Sequence, residues 1–344
     1  MLIKKIRRRI DRISKRQLSW MKFLMKLRSL SRTVEFYGYL SDSDSQCLQS
    51  ELVNDPMSSF CEEGSNLTIT FLSFNRVSLS MRLIKSIQNY LPNYKGKILI
   101  IDNGSDPLAL QQLKTYVDTL GLDIRLEELG HNYGVSGGRN KAVSIINTDW
   151  VMTLDNDIYF VGNPLLEIKN CIKKLGVSFL NLPLLSEDGD RVFSLGENLK
   201  FGQYKQGISI SCDSCFQGKS KRSLKLERPF LSTFLLGGAS VIKRDAFMKQ
   251  GGYDENMLIG YEDVDFSLRL YKEGIKIGNI CQFSLVHGHE LPENKADLDY
   301  EKIRFSREII KTSGQYFLQK HNIHAWTGDD WIVQRESELN LPPE

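Results

Sequence analysis

Trp150-Val-Met-Thr-Leu-Asp155-Asn156-Asp157 is the stretch that decides how this chain is read. An apolar run suited to a buried strand stops abruptly in two carboxylates two positions apart. Side chains alternate along a strand, so Asp155 and Asp157 point the same way if the strand geometry persists. Converging carboxylates repel unless a cation sits between them. A hard divalent ion with oxygen ligands is the usual solution, and it can in turn grip a diphosphate. Taken alone, the pair also reads as a polar strand end running into a turn.

Working outward, the preceding segment alternates strands and helices. Residues 67–74 form a near-continuous apolar run of the kind found in parallel sheets. Residues 77–90 have helical spacing, and 97–101 is a second strand ending in Asp102-Asn-Gly-Ser105. A helix is predicted over 107–120 and a strand over 122–127, then a Gly-rich turn over 130–138 and a helix over 139–146. This order predicts a mostly parallel sheet with right-handed crossovers, which binds ligands at the carboxyl ends of its strands. Asn75-Arg76, Asp102-Asn103 and Asp155–Asp157 all fall there. Further on, the pattern predicts a helix over 164–175 and a strand over 177–184. Residues 186–228 are irregular, a hairpin and a loop. A strand over 234–242 is interrupted by Gly237-Gly238 and followed by a helix over 263–273. A strand over 276–283 precedes His287-Gly-His289, and one long helix covers about 298–319.

Composition bounds the rest. The 344 residues are 41% hydrophobic and 25% charged, ordinary for a globular protein with one large α/β domain and extensions. The six cysteines form no framework, which fits a reducing compartment, and Cys212-Asp-Ser-Cys215 lacks the second pair a zinc site needs. The net charge of +3 hides an asymmetry: residues 1–32 carry +11 and the remainder −8. No apolar run is long enough to span a bilayer, and Lys22, Lys26 and Arg28 interrupt any secretory signal. Ile3, Ile6, Ile10, Ile13, Trp20, Leu24 and Leu27 make an apolar helical stripe on this cationic arm. The first reading is a helix lying on an anionic membrane surface, with a protein partner, RNA, or the acidic body as rivals. Otherwise no nucleic-acid partner is expected. Residues 33–66 read as a linker, 67–290 as the α/β domain, and 291–344 as a C-terminal helical extension.

Six motifs then stand in register: Thr70-Phe-Leu-Ser73-Phe-Asn75-Arg76, Ile101-Asp102-Asn-Gly-Ser105, Asn132-Tyr-Gly-Val-Ser-Gly137-Gly-Arg139-Asn140, Asp155-Asn156-Asp157, Gly251-Gly-Tyr-Asp254-Glu255 and Glu262-Asp263-Val-Asp265-Phe-Ser-Leu-Arg269. Over about residues 66–290 they resemble a family 2 glycosyltransferase of GT-A fold, nearest its rhamnosyltransferase-like branch. The resemblance implies an inverting, metal-dependent transfer from a UDP- or dTDP-sugar to a hydroxyl of a glycan or lipid-linked acceptor. It implies cell-surface polysaccharide synthesis at the cytoplasmic, inner face of the membrane. A catalytically silent GT-A scaffold recruited by the arm is the alternative.

Residue by residue, the resemblance assigns the nucleotide-sugar to Ser73, Asn75, Arg76, Asp102, Asn132, Gly137, Arg139, Asp155, Asn156 and Gly238. Asp102 would meet the nucleobase imide, or else simply form a turn with Asn103-Gly104. Arg139 would touch phosphate or face solvent. Mn²⁺ or Mg²⁺ would be held by Asp155, Asp157 and His287, Asp157 as the direct ligand and Asp155 touching ribose or a metal-bound water, with His289 the near rival of His287. Asp263 would be the general base with Glu262 beside it, or a helix cap. Asp254 and Glu255 would contact the acceptor. Gly237-Gly238 would let a sugar lie against bare backbone. Trp326 and Trp331 would stack on sugar rings or anchor packing.

Overall fold

The computed structural model describes residues 60–205, 207–214, 216–288, 295–327 and 332. The predicted N-terminal helix and most of the linker therefore lie outside the described residues, as do His289, Cys215 and Trp331.

Seven elements lead to the carboxylate pair: β1 (Leu67–Ser73), α1 (Val77–Tyr90), β2 (Lys97–Asp102), α2 (Pro107–Asp118), β3 (Ile124–Glu128), α3 (Gly134–Ile145) and β4 (Trp150–Leu154). Then come β5 (Ile158–Phe160), α4 (Leu165–Leu175), β6 (Phe179–Asn181), β7 (Leu184–Leu185), β8 (Val192–Ser194), β9 (Glu197–Tyr204) and β10 (Gly207–Ser214). The chain closes with β11 (Phe230–Ser232), β12 (Ala239–Lys243), α5 (Arg244–Lys249), α6 (Glu262–Lys272), β13 (Ile277–Asn279), β14 (Leu285–His287), α7 (Lys295–Arg304) and α8 (Arg307–His321).

Eight strands form the central sheet in the order β11-β13-β6-β12-β4-β1-β2-β3. β4, β1, β2 and β3 are parallel neighbours, as the sequence predicts. β12 runs antiparallel between β4 and β6, and β11 antiparallel on the edge, so the sheet is mixed. β1 and β4 are buried on both faces, which explains their unbroken apolar sequence. One face packs on α1 and α4 through Leu83, Ile84, Ile168 and Ile172, and the other on α3, α5 and α6 through Val143, Phe247 and Phe266. Phe60, at the end of the predicted linker, is buried edge-on against Trp150 at 5.9 Å. A small sheet, β5-β14-β7-β8, stands where β4 ends and carries His287.

Several expectations need correction. The predicted strand over 177–184 is two strands in two sheets. Pro183 lies between them and has no N–H to continue the ladder. The predicted strand over 234–242 begins only at Ala239, and β11 was not foreseen. The helix after the Gly-rich turn starts at Gly134, inside the turn, where φ is +70°. The single C-terminal helix is broken at Phe305-Ser306; Ser306 caps α8 by accepting from the Ile309 N–H at 3.4 Å.

α6 is anchored to α8 by one carboxylate. Asp265 is fully buried and accepts from Arg269 Nε at 2.9 Å, from Lys320 Nζ at 2.8 Å and from His321 Nε2 at 2.6 Å. Arg269 also donates to the Gln250 and Gly252 carbonyls, which makes it an anchor of the helix. Burial raises the Asp265 carboxyl, but the hydrogen bonds from His321 and Lys320 outweigh burial and hold it at about 2. Replacing Asp265 with Ala strands three donors, and a loss of about 3–5 kcal/mol is expected in urea unfolding. The group's folded-state value lies below its ordinary one. Its contribution is therefore complete above about pH 4 and is lost as pH falls toward 2, so the Asp265→Ala difference should shrink over that window.

Candidate active site

The carboxyl ends of β1, β2 and β4 open into a cavity of about 590 Å³. Its lining brings together ten of the predicted residues: Arg76, Asn132, Arg139, Asp155, Asn156, Asp157, Gly238, Glu262, Asp263 and His287.

Arg139 organises it. The residue is buried, which excludes the solvent-facing reading. Its guanidinium donates to Asp155 Oδ1 at 2.6 Å and approaches Glu262 Oε1 at 3.7 Å. Burial raises the Asp155 carboxyl, but Arg139 outweighs it and holds the group ionised, below the usual carboxylate range. The two glycines serve this pair. A Cβ at Gly238 would collide with the Asp155 carboxylate, and one at Gly237 with the Arg139 guanidinium. Both are bare to admit protein side chains, and Gly238 also lines the cavity.

Asp157 is differently placed. Its Oδ1 makes no hydrogen bond and lies 3.5 Å from His287 Nε2. Burial, and the Asp155 charge against the opposing His287, push its carboxyl upward. The backbone fixes this meeting: β14 pairs with β5 so that His287 lies opposite Ile158, and the Gly288 N–H donates to the Asp157 carbonyl at 2.9 Å. The Phe193 ring stacks on His287 at 4.2 Å. Among the described residues no group of three His, Cys, Asp or Glu could hold a metal ion. Asp157 and His287 nevertheless fit as two ligands of an ion whose other positions are filled by diphosphate and water, the open coordination Mg²⁺ and Mn²⁺ accept. Asp155, committed to Arg139, fits a supporting place better than a ligand's.

Asp263 faces the same cavity from the first turn of α6. Gly260 and Tyr261 precede it with φ of +82° and +68°. A non-glycine residue there is strained by about 1 kcal/mol, and this bend aims the acidic turn into the cavity. Desolvation, followed by the adjacent Glu262 carboxylate, pushes Asp263 up to about 7 against the opposing charge of Arg139.

Other predicted residues act behind the wall. Asp102 Oδ2 accepts from the Gly104 and Ser105 N–H groups at 3.2 and 3.1 Å, the turn-forming role, while its buried Oδ1 makes no hydrogen bond. Asn75 joins two turns: its N–H donates to Ser105 Oγ and its Oδ1 accepts from the Asp106 N–H. Ser73 shares a hydrogen bond with Ser80, and Gly137 admits the Tyr133 side chain. Asp254 and Glu255 lie in a separate depression with Asn140, Arg269 and Lys320; Asp254 accepts from Lys320 and Glu255 from Asn140. Trp326 packs on Gly314 and does not line the cavity.

The sequence placed Asn103 at a ligand-binding strand end without giving it a role, and it missed a second part of the site altogether. Asn103 lines the cavity and pins the Gly-rich turn. It donates to Asn132 Oδ1 at 3.1 Å and to the Gly134 carbonyl at 3.0 Å, and accepts from the Tyr133 N–H at 3.0 Å. Tyr300, Glu301, Ile303, Arg304 and Phe305 form a wall from α7 and its end. The acidic positions of α7 fall one turn apart, which was the only available signal.

The glycosyl transferase family 2 model matches residues 69–251. Polypeptide N-acetylgalactosaminyltransferase 3 of Drosophila melanogaster is 26% identical over 208 residues, 58% of this chain and 31% of that protein. Chondroitin synthase of Pasteurella multocida is 24% identical over 282 residues, 74% of this chain and 28% of that protein. The chain therefore spans less than a third of the length of these two relatives. The low-salt glycan biosynthesis hexosyltransferase Agl10 of Haloferax volcanii is 20% identical over 264 residues, 73% of this chain and 80% of that protein. The structure of GalNAc-T7 with UDP, GalNAc and Mn²⁺ superimposes with a TM-score of 0.51 at 17% identity, over 81% of this chain and 58% of that one. This likeness confirms the GT-A fold. It does not single out the rhamnosyltransferase-like branch. With the match running unbroken from β1 through α5 across more than half of its residues, the chain belongs to glycosyl transferase family 2.

Proposed function

We propose that the protein transfers a hexosyl or rhamnosyl unit from a UDP- or dTDP-sugar to a hydroxyl of a glycan or lipid-linked acceptor, with inversion, in cell-surface polysaccharide synthesis. The observation that carries this reading is a single cavity with the Asp157–His287 pair and an Asp263 carboxyl raised to about 7. A base needs a value near the working pH, and this one has it. The names of the relatives that build glycans support the acceptor class.

In the proposed reaction the acceptor oxygen bonds to the anomeric carbon and its proton passes to Asp263. The bond from that carbon to the diphosphate breaks, and its electron pair stays on the diphosphate oxygen. Asp157 and His287 would hold Mn²⁺ or Mg²⁺, whose bound charge stabilises the departing diphosphate. Arg139 keeps Asp155 ionised and holds Asp155 and Glu262 in place, and Asn103 holds the turn beside the nucleoside. The cationic residues 1–32 would hold the enzyme on an anionic membrane at its cytoplasmic face.

Three outcomes test the proposal. With a panel of UDP- and dTDP-sugars, Asp263→Asn should lower kcat by about 10²- to 10⁴-fold with the fold intact. An active Asp263→Asn would leave the base unassigned, and an inert wild type would favour the silent scaffold. An acid with a raised value is protonated below it, so kcat/KM should fall about tenfold per pH unit below pH 7 and level off above it. Asp157→Ala and His287→Ala should each weaken Mn²⁺ binding, read by electron paramagnetic resonance, and remove the metal stimulation of activity. The 344-residue chain should co-sediment with anionic liposomes and a chain starting at Leu67 should not. Equal retention of both would refute membrane attachment through the arm.

A further inference from the structure

Three arginines line the cavity: Arg76, Arg139 and Arg304. Arg139 is neutralised by Asp155 and Glu262. Arg76 is buried between two carboxylates of α7, with Nε 3.6 Å from Asp297 Oδ1 and Nη1 3.8 Å from Glu301 Oε1. Its guanidinium also lies over the Tyr300 ring at 5.0 Å, and Tyr300 in turn meets Phe74 at 6.4 Å. Arg304 differs. Among the described residues its guanidinium makes no hydrogen bond or ion pair; it lies over the Phe305 ring at 5.6 Å, and Tyr300 is its strongest electrostatic partner. Yet it stands within electrostatic reach of Asp155, Asp157, Glu262 and Asp263, on the side of the cavity where the proposed diphosphate and metal would lie. Asp297, Tyr300, Glu301 and Arg304 fall at helical positions i, i+3, i+4 and i+7, so a clamp on the first three aims the fourth.

We infer that Arg304 is a catalytic residue that binds the departing diphosphate, and that Arg76 is the positioning residue that holds α7 so Arg304 reaches it. The inference rests on the nucleoside-diphosphate-sugar donor proposed above. The chemistry suits the residue: a permanently charged planar fork binds phosphate oxygens in pairs, and an unsatisfied guanidinium facing carboxylates calls for a polyanion with a bound cation. As the bond to the anomeric carbon breaks, the electron pair left on the diphosphate oxygen is the charge Arg304 faces. This places part of the chemistry in a helix that lies beyond the family match.

The test is calorimetric titration of the full chain with UDP, UMP and uridine, and with the thymidine series, in Mn²⁺. Wild type is compared with Arg304→Ala, Arg304→Lys and Arg76→Ala, with the melting temperature of each variant checking its fold. Arg304→Ala should weaken diphosphate binding by about 10- to 100-fold, the range of one charge-assisted hydrogen bond, and leave nucleoside binding unchanged. Arg304→Lys should lose less. Arg76→Ala should reproduce the same selective loss, and in turnover both should lower kcat more than they raise KM. If wild type binds a nucleoside diphosphate and Arg304→Ala binds it equally well, the inference falls and the donor reading stands. If wild type binds neither diphosphate, the donor reading falls and takes the inference with it.

Discussion

The site depends on one buried cation. Arg139 enters from α3, meets Asp155 at the end of β4 and reaches Glu262 at the start of α6. An unpaired guanidinium at that depth is untenable, and so is an unpaired carboxylate at Glu262, which is equally buried, whereas Asp155 is half-exposed and meets the guanidinium from the cavity side. The demand spreads into the backbone: Gly237 and Gly238 must be bare, and the chain must bend through Gly260-Tyr261 to present the acidic turn. The carboxylate at the strand end and the base on the helix sit far apart in sequence. They share a cavity because this triad holds their supports together.

The same constraint separates the roles of Asp155 and Asp157. Strand periodicity placed them side by side, and the resemblance already made Asp157 the direct ligand. Arg139 takes one and keeps it ionised, while the other is left facing His287 with its charge poorly compensated. A divalent ion resolves that second situation and would be redundant in the first. The neighbouring acids on α6 divide similarly: Glu262 pairs with Arg139, and Asp263 takes up the repulsion.

Much of this was legible in the sequence because it is local. Unbroken apolar runs identified β1 and β4, helical spacing identified α1, and polar clusters at strand ends marked where ligands would bind. Motif order carried the family. What was not legible depended on contacts between distant segments. Nothing local says that Gly238 faces Asp155, that Asp254 is turned aside by Lys320, or that Asn103 and not Asp102 lines the cavity. The antiparallel β12 was hidden because an apolar strand carries no sign of its direction. The break at Ser306 was missed because an N-cap inside a continuous amphipathic pattern looks like one more polar position.

The two-helix end of the chain has a consequence for how such proteins diverge. The nucleotide-facing frame is locked by the triad and its glycines, where almost any single replacement strands a charge. The wall built by α7 is held by Arg76, buried against Asp297 and Glu301, and the following α8 by the buried Asp265 carboxylate. A lineage can therefore vary this wall around Arg76 and Arg304 while the frame stays fixed. New specificity in such enzymes should then accumulate in the segment where sequence comparison detects least kinship.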